Sequence, residues 1–139
     1  WHRLGADHIV NAREQDPVTA IQALTGGLGV DLAIECSGAV ETPQQCAQVT
    51  KRGGKILVVA FYPQPVTLDL SHVVRSDITI YTTRGEGGNN VKRAVSLAAQ
   101  GRLHGAELVT HEFPLEDIAE AFRVMRERID DPIKIVIIP

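Results

Sequence analysis

Val30-Asp31-Leu32-Ala33-Ile34-Glu35-Cys36-Ser37-Gly38 decides the fold. Its middle, Leu32-Ala33-Ile34, is a short apolar run and not a strict alternation, the pattern of a parallel strand with helices over both faces. Ser37-Gly38 ends it. A glycine at the carboxyl end of such a strand has no Cβ to hold off another backbone or a ligand, and in open α/β sheets that end is where ligands bind. A plain turn between strand and helix asks for the same residue, so Gly38 alone leaves both readings open.

Upstream, Leu4-Gly5-Ala6-Asp7 reads as the end of a helix whose body precedes residue 1, with Gly5 in the stop position. His8-Ile9-Val10-Asn11 reads as a short strand. Asp16 then caps and Pro17 opens a helix with Val18, Ile21 and Leu24 on one face, closed by Gly26-Gly27. Downstream the device recurs. Thr42 is placed as cap and Pro43 as first helical residue, with Cys46, Ala47 and Val49 inward and Gly53-Gly54 as stop, before the apolar strand Lys55-Ile56-Leu57-Val58-Val59-Ala60. Strand, helix, strand, helix, strand at this spacing predicts right-handed βαβ units and a parallel sheet.

After Ala60 the pattern changes. Phe61-Tyr62-Pro63-Gln64-Pro65 excludes helix and predicts an extended or turning segment, suited to a lid or an active-site loop. Residues 66–74 read as a short strand and a helical turn, and Asp77-Ile78-Thr79-Ile80-Tyr81-Thr82-Thr83 as an edge strand or one that pairs with another subunit. The loop Arg84-Gly85-Glu86-Gly87-Gly88-Asn89-Asn90 leads to a helix capped by Asn89 or Asn90, with Val91, Ala94, Val95 and Ala98 as its buried stripe and Gly101 at its end. Leu108-Val109-Thr110-His111-Glu112-Phe113 is a strand, Pro114 starts a helix with Leu115, Ile118, Phe122, Met125 and Ile129 inward, and residues 133–138 are a last apolar strand interrupted by Lys134.

The 139 residues suffice for one cored domain and are few for an enzyme with separate cofactor and substrate lobes. A net charge of -3 leaves no basic footprint, so no nucleic-acid partner is expected, and acidic substrates are not favoured either. No apolar run approaches the ~18 residues of a membrane span and Trp1-His2-Arg3-Leu4-Gly5 is no signal peptide, so the expected location is cytoplasmic with no membrane contact. Cys36 and Cys46 are too few for a disulfide framework and read as small buried hydrophobes. His2, His8, Cys36, Cys46, His72, His104 and His111 could ligate metal, but none falls into CxxC or HxxxH spacing, so no metal site is expected from this chain.

Five features in register resemble the zinc-type medium-chain alcohol, polyol and threonine dehydrogenases. They are Leu4-Gly5-Ala6-Asp7; Gly29-Val30-Asp31 leading to Glu35-Cys36-Ser37-Gly38; Gly53-Gly54-Lys55-Ile56; Leu108 through Glu116; and Ile133-Lys134-Ile135-Val136. Each alone is weak; together they span nearly the whole chain, closest to the sorbitol-like and threonine-like branch. The resemblance implies a partial doubly wound, Rossmann-like parallel α/β sheet without its first two strands. Residues 1–84 would be the carboxy-terminal part of the dinucleotide-binding domain, and residues 85–139 would return to the catalytic lobe.

The resemblance also implies hydride transfer from a secondary alcohol or polyol to NAD or NADP. Zinc would polarise the substrate oxygen in the complete protein without being bound by this chain. Cys36, Ser37 and Gly38 would then lie beside the adenosine half, Val59, Ala60, Phe61, Tyr81, Thr82 and Thr83 beside the nicotinamide, and Lys134 near the pyrophosphate. A lysine snorkelling from a buried strand explains Lys134 equally well. Asp31, Glu35 and His111 read as structural groups. Ala60 stands where the family usually has glycine, and the glycine-rich loop after Arg84 departs from the family's more regular segment, which bears on whether Arg84 faces substrate.

The Gly-x-Gly-x-x-Gly turn, the ribose-reading acid and the family's zinc ligands are not in this sequence, so the piece is expected to be inactive alone and to carry a gap in its sheet. Three alternatives stand beside this reading: a zinc-free quinone reductase-like enzyme; an adenosylmethionine-dependent methyltransferase-like domain, because Gly53 through Val59 also suits that fold; and a non-catalytic dimerisation module. A homo-oligomer through the strand at residues 78–83 fits the last and the dehydrogenase reading alike.

Overall fold

The computed structural model describes residues 5–85, 88–103 and 105–139. The expectations for Trp1, His2, Arg3, Leu4, Glu86, Gly87 and His104 lie outside them. Contacts divide the chain into two units, one ending at Gly85 and the other running from there to Pro139.

In the first unit the order is α1 (Pro17–Leu24), β1 (Val30–Glu35), α2 (Thr42–Val49), β2 (Thr50–Val58), α3 (Leu70–Arg75) and β3 (Thr79–Thr82). The strands form one parallel sheet in the order β1-β2-β3, as the βαβ spacing predicts. Asp16 caps α1 as expected. Its carboxylate accepts from the Thr19 amide at 2.8 Å and the Thr19 hydroxyl at 2.6 Å, bonds that hold its pKa below the usual carboxylate range. Replacing it by alanine frees a helix-end donor, so Asp16→Ala should lower the melting temperature by roughly a few degrees in a thermal scan.

The core lies on one side of the sheet. Ala33 and Ile56 point into it from β1 and β2, and Ala47, Val73 and Ile78 close it from α2, α3 and the entry to β3. The other face is open, which corrects the expectation of helices on both sides. Ile34, Leu57 and Tyr81 share a row across the strands, and Leu32, Ile34 and Tyr81 are each about half exposed. At its β1 edge, Ile34 shares a cleft with Pro17 and Ile21 of α1.

Four local readings also change. Residues 8–11 form no strand, because an extended segment needs a ladder partner and none of the sheet's strands lies beside it. Thr42 gives α2 no side-chain cap; its hydroxyl donates instead to the Ala39 carbonyl and the Glu35 carboxylate, both at 2.8 Å. Gly53-Gly54 does not stop α2. The helix ends at Val49, β2 begins at once with the buried Thr50, and the extra residues before Lys55 are absorbed in a bulge that shifts the pairing with β1. Residues 66–69 form no strand and lead straight into α3, where the Asp69 carboxylate accepts from the His72 amide at 3.0 Å.

The second unit contains α4 (Gly88–Ala99), β4 (Val109–Pro114), α5 (Ile118–Glu127) and β5 (Lys134–Ile138), with β4 and β5 parallel. α4 begins ahead of the expected asparagine caps, and its stripe is not buried: Val91 and Val95 are mostly exposed. Pro114 closes β4 instead of opening the helix, and a 3-10 turn over Leu115–Asp117 intervenes. On α5 only Ala121 and Val124 are buried. Ile118, Phe122 and Met125 line an open apolar groove of about 200 Å³ with Ile135 and Ile137, since two strands are too narrow a platform to cover the helix's whole apolar arc.

Candidate functional site at the strand tips

Parallel strands joined by helices all end at the same edge of the sheet, and here the register aligns the ends closely. Glu35 pairs with Val58 and Val58 with Thr82. The Val59 amide donates to the Glu35 carbonyl at 2.9 Å and the Thr83 amide to the Val58 carbonyl at 3.2 Å. Beyond this line the three chains diverge into the Gly38 turn, the proline-bounded segment after Ala60, and Arg84.

Gly38 has φ +73°, and a Cβ there would stand 2.7 Å from the Phe61 carbonyl oxygen. Of the two close approaches that a glycine permits, the backbone one is therefore realised. The turn and the segment after β2 are packed together by main chain at this point. Ala60, in the position where glycine was expected, is accommodated: its Cβ lies 3.7 Å from where a Gly38 side chain would begin.

Glu35 lies beneath this contact, 2% exposed. Its Oε1 accepts from the Ser37 amide (2.9 Å), the Ser37 hydroxyl (2.7 Å), the Gly38 amide (3.1 Å) and the Thr42 hydroxyl (2.8 Å), while Oε2 accepts from the Tyr62 hydroxyl at 2.6 Å. Burial alone would push this carboxyl up, but the bonds from Tyr62, Ser37 and Thr42 outweigh it and hold the pKa at about 2. Burial and the same bond push the Tyr62 phenol up to about 12. The structural role read for Glu35 stands, with the partners now named.

Two clefts flank the contact. One, of about 380 Å³, is lined by the run from Val58 through Tyr62 and by Thr82, Thr83 and Arg84. The other, of about 200 Å³, lies between α1, α2 and the tip of β1 and includes Ile34, Cys36, Ser37 and Cys46. Of the residues named from sequence, Val59, Ala60, Phe61, Thr82 and Thr83 thus share one cleft, Cys36 and Ser37 share the other, and Gly38 joins the walls between them. Tyr81 lines neither; it sits within β3 opposite Leu57, its side chain about half exposed. Lys134 belongs to the second unit, exposed at the start of β5 opposite Val109.

Sequence reading missed Tyr62. Its bond to Glu35 spans 27 positions, and the only signal pointing to it is an acid at the end of a buried strand, which must find donors somewhere. Cys36 was expected to be buried and is exposed, because β1 ends before it and the chain has already left the core. Cys46 is half-buried, and burial pushes its thiol up. The His72 ring is engaged by the Ala47 carbonyl at 3.1 Å, and His111 stacks on Phe113 and bonds the Thr110 hydroxyl at 2.9 Å. Among the described residues no three His, Cys, Asp or Glu side chains cluster to hold a metal, and no helix is long and apolar enough to cross a membrane.

Comparison with known proteins gives a concordant result. A family model described as "Zinc-binding dehydrogenase" matches residues 2–100. An alcohol dehydrogenase of Cupriavidus necator is 34% identical over 140 residues, covering 99% of this chain and 38% of its own length. An L-threonine 3-dehydrogenase of Bacillus velezensis is 34% identical over 127 residues, covering 90% of this chain and 37% of its own length. The crystal structure of 2R,3R-butanediol dehydrogenase from Bacillus subtilis matches 99% of this chain with a TM-score of 0.83 and 27% identity, using 39% of that chain. The chain spans less than two fifths of the length of the curated relatives it matches. The motifs, the parallel sheet and a family model matched across both helix-strand repeats agree, and the chain belongs to the zinc-binding dehydrogenase family.

Proposed function

We propose that this chain is the carboxy-terminal part of an oxidoreductase that moves hydride between a secondary alcohol or polyol and a nicotinamide cofactor, NAD or NADP. In this reading residues 1–84 complete a dinucleotide-binding domain and residues 85–139 return to the catalytic lobe. The observation that carries it is the cleft at the carboxyl tips of β2 and β3, where ligands of open parallel sheets bind, in a chain of this family.

The residues present fit a nicotinamide half. The main chain at Ala60, past the Val59 amide already taken by the Glu35 carbonyl, supplies partners for a carboxamide, and the Thr82 and Thr83 hydroxyls add donors and acceptors. Val58 and Phe61 give the cleft an apolar side against which a ring can lie, and Arg84 brings a positive charge to its lining. Held there, a nicotinamide would supply the hydride acceptor, and zinc in the complete protein would supply Lewis-acid polarisation of the substrate oxygen. In this reading the ligands of that metal come from another part of the complete protein.

Calorimetric titration of the chain with NADH, NADPH and adenosylmethionine tests the reading. A saturable signal with a nicotinamide dinucleotide and none with adenosylmethionine is expected, and the reverse would favour the methyltransferase-like alternative. No alcohol turnover is expected from the chain with NAD or NADP and zinc added; turnover would refute its inactivity alone. The outer edge of β3, with all four residues exposed, supports pairing with a second copy through residues 78–83.

A further inference from the structure

We infer that Glu35 and Tyr62 form a positioning clamp, in which one buried carboxylate holds the Gly38 turn and the segment after β2 together and so sets the shape of the strand-tip cleft. The inference rests on the dinucleotide reading for its consequence, and on geometry for its mechanism.

A carboxylate at the last position of a buried strand is a costly choice, because a charge taken out of water must be fully bonded to be tolerated. Shape alone would be served by an apolar residue there. The two oxygens of Glu35 do different work. Oε1 takes donors from Ser37, Gly38 and Thr42, all within seven residues, and so shapes only the turn that follows β1. Oε2 takes the Tyr62 hydroxyl, which arrives from the far wall. Tyr62 is the neighbour of Phe61, whose carbonyl oxygen meets Gly38, and both residues line the larger cleft. The two walls are therefore joined at successive positions, by main chain at Phe61 and by a charge-assisted bond at Tyr62.

Such a bond is short and directional, and it suits a segment with Pro63 and Pro65 that has no strand partner to hold it. The negative charge itself is fully engaged by protein donors. It therefore acts on a ligand only through the positions of the groups around it, which makes Glu35 and Tyr62 positioning residues and not catalytic ones.

Tyr62→Phe removes the bond and keeps the ring, and Thr42→Val removes a donor on the turn side as the control. Three measurements on the full chain separate the possibilities: melting temperature, amide hydrogen exchange of residues 36–39 and 59–62, and NADH titration. For Tyr62→Phe the expected result is a chain that still folds with a melting temperature lowered by roughly 5–10 °C, exchange at residues 59–62 about tenfold faster with β1 changed less, and NADH affinity about tenfold weaker. Thr42→Val should leave exchange at residues 59–62 unaltered. If the parent binds NADH and Tyr62→Phe binds it equally well, the clamp is refuted and the dinucleotide reading stands. If the parent binds no dinucleotide, that reading fails, and exchange at residues 59–62 alone decides the clamp: faster supports it, unaltered overturns it. Failure of Tyr62→Phe to fold would also overturn it, because a bond that positions a segment is dispensable for folding.

Discussion

Replacing Gly29 with alanine should destabilise the first unit by about 3 kcal/mol or more, enough to lower its melting temperature by roughly 10 °C in a calorimetric scan. Gly29 has φ +85°, a conformation that L side chains rarely adopt. A Cβ there would also lie 2.5 Å from the Val49 carbonyl oxygen and 2.9 Å from the Lys51 amide nitrogen. Both are main-chain atoms at the junction of α2 and β2, so no side-chain rotation relieves the overlap. The junction itself would have to move. It carries Thr50, whose hydroxyl donates to the Cys46 carbonyl at 2.6 Å, and it anchors Ala47 and Val49, both buried. Gly26 is the matched control: φ is +60° but nothing lies within 4 Å of its Cβ position, so Gly26→Ala should cost only the backbone strain, about 1 kcal/mol. Equal melting temperatures for the two variants would show that the α2–β2 junction yields freely, contrary to the close packing seen there.

That contrast shows what can be read from a chain and what cannot. The Gly29-Val30-Asp31 motif marks a strand entry, and the apolar run behind it marks the strand; both follow from local spacing. Parallel topology follows too, because a helix between two strands carries the chain back along the sheet, so that the next strand starts at the same edge. The family membership read from five short motifs holds, since those motifs in register mark the strands and the turns beside them.

Burial was less legible. Leu32, Ile34, Val91, Val95 and Phe122 have the periodicity of core residues and are exposed, because periodicity states which face of an element is apolar and not whether this chain supplies its cover. The candidate site divides in the same way. Val59, Ala60, Thr82 and Thr83 come together because they follow parallel strand ends, whereas the Glu35–Tyr62 bond depends on where a proline-bounded segment folds back, which no local pattern encodes.

Removing the Glu35 carboxylate should be the most damaging single change at the strand tips. In Glu35→Ala the Ser37 and Gly38 amides and the Tyr62 hydroxyl lose their acceptor together, while the Thr42 hydroxyl keeps the Ala39 carbonyl; the expected loss is about 3–5 kcal/mol. Acid reaches the same group without mutation. Its pKa is about 2 in the folded chain against an ordinary 4.5, so the folded state favours the ionised form. The stability this contributes is fully present above about pH 4.5 and is lost as pH falls from there through 2, an amount on the order of 3 kcal/mol. Glu35→Gln, which cannot ionise, should be less stable at neutral pH and should lose less stability across that window. Urea denaturation of parent and variant at pH 6 and pH 3 measures the difference. A gap between the two proteins that narrows as pH falls is the expected result; a gap that stays constant would mean that the Glu35 charge contributes nothing to holding the Tyr62 segment against the Gly38 turn.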